Sequence, residues 1–357
     1  MPQKKALIAM SGGVDSSVAA YLTQQAGFDC IGVTMRLYDN LPDEGCDSRT
    51  CCSLEDVEDA RSVARRLGMP FYAFNFKEDF REKVIEKFIH CYECGLTPNP
   101  CIECNRHLKF DHLLRRGMEL GCDCVVTGHY AQIKQDEQTG RYILYKAADF
   151  SKDQSYVLYS LTQEQLAHTL FPLGDMEKSA VRELAEKNGL INADKPDSQD
   201  ICFVPNGDYV KVIEEYTSKT YPKGNFVDTS GNVLGQHQGI IRYTVGQRKG
   251  LGVALGKPAY VGSKNVETNE VTLCSDEELY SKSVLAKDFN WVAFPTADET
   301  FCCKARIRYR HVEQPATVFV YDGTVRITFD EPQRAATSGQ SVVLYDGDTV
   351  LGGGIII

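Results

Sequence analysis

At 357 residues the chain exceeds one ordinary hydrophobic core, so two or three domains are expected. Hydrophobic residues at 43% and charged residues at 25% describe a soluble globular protein, and no apolar run approaches the ~20 residues of a membrane span. A net charge of −10 speaks against general coating of nucleic acid, though not against a local basic face, and a start of Met1-Pro2-Gln3-Lys4-Lys5 without a signal peptide points to the cytoplasm and to no membrane partner.

In chain order, the apolar run Ala6-Leu7-Ile8-Ala9-Met10 predicts a strand. The turn Ser11-Gly12-Gly13-Val14-Asp15-Ser16-Ser17 follows, then a helix with Val14, Val18, Ala19 and Leu22 on one face. Such a turn offers backbone N–H groups and a helix N-terminus to an anion, and so makes a phosphate cradle. It is not a Walker A loop, because the lysine that grips β- and γ-phosphates is missing. Further strands are expected at 28–35, 70–76 and 122–127, with helices at 54–67, 78–91 and near 108–120. This alternation predicts a doubly wound parallel α/β sheet, whose ligands bind at the carboxyl ends of strands. Ser11–Ser17, Met35 and Gly128-His129 therefore converge. Residues 39–52 read as an insertion or mobile loop.

Residues 131–150 predict a hairpin turning at Thr139-Gly140, residues 162–188 helices, and residues 194–205 a loop. Beyond about 206, Gly and Pro punctuate β-rich runs at 225–234, 240–245 and 259–266. From about 280 the pattern is wholly β, with strands expected at 302–309, 317–321, 325–329 and 342–345. The domains expected are 1–205, a small mixed domain at 206–279, and a β-barrel at 280–357. Lys304, Arg306, Arg308 and Arg310 alternate with Ala305, Ile307 and Tyr309, which on a strand places four cations on one face. Arg242, Arg248 and Lys249, among glycines, form a second basic cluster, and Lys152 adds a third.

Fourteen cysteines without a secretory signal are thiol chemistry, metal ligands or buried small residues rather than a disulfide framework. Thr97-Pro98-Asn99-Pro100-Cys101-Ile102-Glu103-Cys104-Asn105 reads as a proline-stiffened approach to a Cys-x-x-Cys turn, and Asp197–Phe203 places Cys202 in a polar loop. Cys91, Cys94, Cys101 and Cys104 as a structural zinc site, and Cys101, Cys104 and Cys202 as iron–sulfur ligands, are open alternatives. Cys46, Cys51 and Cys52 also fall in a loop that suits metal. Most of Cys30, Cys122, Cys124, Cys274, Cys302 and Cys303 read as core residues of apolar strands.

The Ser11–Ser17 string resembles the pyrophosphate loop of PP-loop ATPases, which cleave ATP to AMP and pyrophosphate. With Cys51-Cys52-Ser53, Thr97–Asn105, Gly128-His129-Tyr130-Ala131, Lys152–Tyr156, Asp197–Phe203, Tyr243–Arg248 and Gly339-Gln340-Ser341, the chain resembles the bacterial tRNA-specific 2-thiouridylase family over nearly its whole length. The resemblance implies ATP bound by Ala9, Met10, Ser11, Gly12, Gly13, Val14, Asp15, Ser16, Met35 and Gly128. Asp15 is expected to help place Mg²⁺, which prefers oxygen ligands.

The resemblance further implies Cys104 as nucleophile and Cys202 as the persulfide carrier, with a disulfide between them during turnover. Asn99, Pro100 and Cys101 would face the target base, where many relatives have Asp in place of Cys101. Contacts to the tRNA anticodon arm would come from His129, Lys152, Asp153, Gln154, Arg308, Tyr309 and Gln340. The reaction implied is adenylation of the C2 oxygen of the wobble uridine (U34) of tRNAs for Lys, Glu and Gln. Sulfur transfer from a protein persulfide donor, a cysteine desulfurase or relay protein, would follow. The rivals are another PP-loop adenylating tRNA-modifying enzyme and a cysteine–metal RNA-binding protein.

Overall fold

The computed structural model describes residues 3–38, 54–195 and 201–357. Cys46, Cys51, Cys52 and residues 197–200, all singled out above, lie outside them. The first sheet has five parallel strands: β1 (Lys5–Ala9), β2 (Asp29–Arg36), β3 (Phe71–Asn75), β4 (Cys124–Val126) and β7 (Thr169–Leu170), in the order β3-β2-β1-β4-β7. Ala6, Leu7 and Ile8 of β1 are wholly buried, as a central strand covered on both faces requires. Helices α1 (Val14–Gln25) and α2 (Leu54–Arg66) supply part of that cover. The chain leaves β1 toward β2 on one side, and β4 adds on the other, so a crevice opens at their carboxyl ends.

Two long helices depart from regular winding. The first, α3, is α-helical over Lys77–Phe80, π-helical over Arg81–Ile85 and α-helical again over Glu86–Glu93. The second, α4, starts α-helical at Pro100–Glu103, widens to π geometry over Cys104–His112 and closes as Leu113–Glu119. The Cys-x-x-Cys segment is therefore the first turn of a helix and not a free-standing turn. The signal was present in Asn99-Pro100: the Asn99 side chain accepts from the Cys101 N–H at 3.1 Å as N-cap, and proline takes the first helical position, where no N–H is needed.

The expected hairpin forms as β5 (Gln132–Gln135) and β6 (Tyr142–Tyr145), but it extends the C-terminal sheet through the pairing of Tyr145 with Thr349. Residues 162–188 hold α5 (Gln163–Ala167) and α6 (Lys178–Lys187) on either side of β7. Helix α7 (Tyr209–Thr217), which the β-rich texture of the region obscured, leads into a sheet ordered β10-β11-β8-β9, from β8 (Gly224–Val227), β9 (Val233–His237), β10 (Tyr260–Asn265) and β11 (Glu270–Cys274). Residues 240–242 make a 3₁₀ turn where a strand was expected.

The last six strands close on themselves. They are β12 (Tyr280–Trp291), β13 (Thr300–Arg306), β14 (Gln314–Tyr321), β15 (Thr324–Arg334), β16 (Ser341–Asp346) and β17 (Thr349–Ile356), with β12 pairing both β15 and β17. Strand β13 ends at Arg306, and the chain bends over residues 307–311, so the four alternating cations do not share one flat strand face.

Helix α4 lies where all three sheets meet. Ile102 and Phe110 pack into a cluster with Tyr156, Tyr159, Val343, Tyr345 and Val350, which joins the first region to the barrel. Cys104 and Leu108 belong instead to a cluster that runs through Phe203 and Val204 into Ile213, Phe226 and Val261. Among the described residues no helix is long and apolar enough to cross a membrane.

Candidate active site

A cavity of about 290 Å³ opens at the carboxyl ends of β1, β2 and β4. Ala9, Met10, Ser11, Asp15 and Ser16 line it; Met35 is the next-to-last residue of β2, and Gly128 and His129 follow β4. Pro100, Cys101 and Cys104 also line it, as do Phe80, Val84, Gln154 and Cys202, so residues from seven separated sequence segments share one chamber.

The loop after β1 is cross-braced. Ser16 Oγ donates to Gly13 O at 3.0 Å and accepts from the Ser11 N–H at 3.2 Å, while Asn192 Nδ2 reaches Gly12 O at 3.1 Å and Ser17 Oγ at 2.7 Å. Gly12 has φ +79°, and a Cβ there would lie 2.4 Å from Asp56 O; a Cβ on Gly128 would lie 2.7 Å from the Ser16 nitrogen. Both glycines are thus needed for close backbone approach. Helix α1 leaves its first N–H groups without carbonyl partners one turn back, at the end of the helix that favours anions. Gly12, Gly13 and Val14 shape the loop without lining the cavity.

Asp15 does not fit the Mg²⁺ role expected of it. Both its carboxylate oxygens accept from Lys178 Nζ, at 2.7 and 2.8 Å, and Oδ1 also accepts from the Tyr130 hydroxyl at 2.7 Å. Among the described residues this is the only carboxylate lining the cavity, and three hydrogen bonds already engage it. Among the described residues no three His, Cys, Asp or Glu side chains are gathered so as to hold a metal ion. The cysteines of the zinc and iron–sulfur alternatives (Cys91, Cys94, Cys101, Cys104 and Cys202) are all described, and Cys101, Cys104 and Cys202 line this one cavity.

Cys104 is buried and Cys101 exposed at the start of α4. Between them Glu103 is buried, held by Lys87 Nζ at 2.9 Å and His107 Nε2 at 3.3 Å. Burial alone raises its carboxyl, but those two partners outweigh it and bring the pKa down to about 2. Cys202 is half-buried across the cavity. Tyr38 donates its hydroxyl to the Cys202 carbonyl, and the next side chain, Phe203, packs edge-on against Phe80 and Phe88 with centroids 5.6 and 5.2 Å apart.

His129 is buried, with Nδ1 2.6 Å from Thr127 Oγ1 and Nε2 3.5 Å from Lys109 Nζ. Desolvation, and then the Lys109 charge, hold its pKa well below the usual range, so the ring is neutral at pH 7. Lys109 lines the cavity and was missed in the sequence, where it sat unremarked in a helical pattern.

Several expected RNA-facing residues are committed elsewhere. Asp153 is buried, accepting from Ala147 N, Ser155 N and Ser155 Oγ and pairing with Arg306 at 3.4 Å. The Arg308 guanidinium donates to Val245 O, Ala335 O and Thr337 Oγ1, an internal clamp between the central domain and the barrel. Gln340 Nε2 donates to Thr97 O at 2.7 Å, and the Thr97 N–H to Ser338 O at 3.0 Å, so this barrel loop seats the segment before Asn99. Asn99 serves as the helix cap.

Tyr309 packs against Tyr156, and its hydroxyl pKa is raised by burial, then by Asp153, with Cys101 among the lesser charges that reach it. Lys304 and Arg310 are exposed, and Lys152 lies half-buried two residues before Gln154.

Family profiles match the chain in three consecutive stretches. They describe residues 4–206 as a tRNA methyl transferase HUP domain, residues 210–275 as a tRNA methyl transferase PRC-barrel domain and residues 281–356 as an aminomethyltransferase beta-barrel domain. A curated relative from Clostridioides difficile (strain 630), named tRNA-specific 2-thiouridylase MnmA, is 54% identical over 357 residues, covering 99% of this chain and 98% of its own. Relatives of the same name from Acetivibrio thermocellus and Carboxydothermus hydrogenoformans are each 51% identical. They cover 100% and 99% of this chain, and 100% and 98% of their own lengths.

Proposed function

The chain belongs to the tRNA-specific 2-thiouridylase family, and from that premise we propose which of its residues carry out the reaction. The enzyme is a tRNA sulfurtransferase. The profile descriptions speak of methyl transfer, whereas the named full-length relatives are thiouridylases; two thiols lining one cavity suit the second, because transfer through a persulfide needs a partner thiol.

ATP lies with its phosphates on the Ser11–Ser16 loop and its nucleoside toward Met35 and Gly128. The C2 oxygen of U34 attacks the α-phosphorus, the bond to the β-phosphate oxygen breaks, and pyrophosphate leaves with the electron pair while the base gives up its N3 proton. Covalent activation of this kind makes a poor leaving group into AMP. The terminal sulfur of a Cys202 persulfide then attacks C2 and expels AMP. Cys104 thiolate attacks Cys202 Sγ, leaving the sulfur on the base as 2-thiouridine and forming a Cys104–Cys202 disulfide, which a thiol reductant reopens. The sulfur reaches Cys202 from a protein persulfide donor in the cytoplasm. We assign no protein ligand to Mg²⁺ and none to an iron–sulfur cluster.

Recognition of the anticodon arm is assigned to the exposed cations Lys304 and Arg310, with Lys152, Gln154 and Tyr309 nearer the base. Asp153, Arg308 and Gln340 act by positioning these groups. The boundaries 1–205, 206–279 and 280–357 are the domain division we propose. The observation that carries the reading is the shared cavity, in which the phosphate loop and both thiols face one space. Mass spectrometry of tRNA from cells lacking this protein tests it: 2-thiouridine is lost at U34 and returns with the wild-type gene. Undiminished 2-thiouridine in those cells counts against the reading.

A further inference from the structure

The phosphate loop contains no lysine, yet the cavity does. Among the described residues Lys109 is the single Lys or Arg that lines it, together with Ser11, Asp15, Ser16 and both thiols. The winding of α4 brings it there. Five residues of α-helix make about 1.4 turns, which carries position 109 away from the side of Cys104. In a π-helix the hydrogen bond closes at i+5, so residue 109 returns toward that side, and the stretch Cys104–His112 is wound in this way. The less stable winding has a visible result: Cys104 and Lys109 line one cavity.

The charge on Lys109 is left for a ligand. Among the described residues Lys109 meets no carboxylate, and its polar partner is His129. The one carboxylate that lines the cavity among the described residues, Asp15, is answered by Lys178 from α6. An ammonium only donates, so His129 Nε2 must be the acceptor, and Nδ1 then carries the ring proton and donates to Thr127 Oγ1. The ring is held in that tautomer between Phe110 and Phe171, with centroids 5.7 and 5.8 Å from its own. A neutral ring steadies the ammonium without neutralising it.

We propose that Lys109 is a catalytic residue of the adenylation step, contacting the phosphates of ATP and stabilising the charge that builds on pyrophosphate as the α–β bond breaks. It takes, from helix α4, the place that a Walker lysine holds within its own loop. The proposal rests on the adenylating reading above. Preorganised positive charge in a partly desolvated site acts most strongly where charge develops, and loss of one such group typically lowers turnover about 10²- to 10³-fold.

The test measures AMP and pyrophosphate formed from ATP and unmodified tRNA by the wild type, Lys109→Met and Lys109→Arg, with persulfide loading of Cys202 measured by intact mass on the same samples. Lys109→Met should form AMP about 10²- to 10³-fold more slowly, Lys109→Arg should stay within about tenfold of wild type, and all three should load Cys202 equally. Equal loading shows that the variants fold. AMP formation by Lys109→Met at the wild-type rate overturns the proposal, and so does normal AMP formation with only thiolation lost, since Lys109 would then serve Cys104. If the wild type itself makes no tRNA-dependent AMP, the adenylating reading fails instead.

Discussion

Lys178 and Asp15 form a two-pronged ion pair, 2.7 and 2.8 Å, that ties the first turn of α6 to the first turn of α1 beneath the phosphate loop. The lysine side chain is 10% exposed and the aspartate 30%, so the pair is shielded without being dry. Removing the lysine strands a carboxylate facing the site where phosphates are expected. Lys178→Met should cost about 2 kcal/mol of stability, a buried-pair loss discounted for the exposure of Asp15. It should also weaken ATP binding at least tenfold; chemical denaturation and nucleotide titration check both. Unchanged ATP affinity would separate the pair from phosphate binding.

The thiols should divide the reaction. Cys104→Ser and Cys202→Ser should each abolish 2-thiouridine formation while ATP affinity is retained, since neither belongs to the phosphate loop. Cys101→Ser should be milder, because Cys101 sits at the exposed rim. A radiolabelled ATP-binding assay beside nucleoside analysis reads both. Loss of ATP binding in Cys202→Ser would contradict the separation.

Arg308 and Arg310 should fail in different ways. Arg308 spends its guanidinium on three internal acceptors, so Arg308→Ala should cost about 3 kcal/mol in unfolding, a charged hydrogen-bond loss. Arg310→Ala should leave the melting temperature unchanged and lower the slope of log affinity for tRNA against log salt by about 1. Identical behaviour of the two variants would refute the distinction.

Glu103 makes stability depend on acid. Its folded pKa, about 2, lies below the ordinary 4.5, so its contribution is complete above about pH 4.5 and disappears as pH falls toward 2. The difference corresponds to about 3 kcal/mol at neutral pH. Glu103→Gln should be destabilised by that order at pH 7 and should lose less stability than wild type between pH 4.5 and 2. Parallel pH profiles for the two proteins would show that Lys87 and His107 hold the carboxylate less firmly than their geometry indicates.

The first sheet and its phosphate loop were legible because local patterns determine them: an apolar run, a glycine pair and a 3.6-residue repeat lie within a few residues of each other. Cys104 and Cys202 were legible through resemblance, but no spacing indicated that 98 residues of chain bring them to one cavity. Asn99-Pro100 carried a helix-start signal that two prolines and a Cys-x-x-Cys pattern disguised as a loop. The alternation from Lys304 to Arg310 was read from periodicity alone, and periodicity cannot reveal the bend after Arg306 or the internal acceptors that claim Arg308. Lys109 was invisible for a further reason. Its direction depends on π winding, which no sequence repeat encodes, and its meaning depends on Asp15 being paired with Lys178, some 70 residues further along.

The central claim, that one chamber activates the uridine with ATP and then delivers sulfur to it, is tested most directly by product stoichiometry. Purified enzyme, ATP, unmodified tRNA and a persulfide donor should yield one AMP and one pyrophosphate for each 2-thiouridine, and AMP should still appear when Cys202 is serine. Formation of 2-thiouridine without AMP would contradict the account.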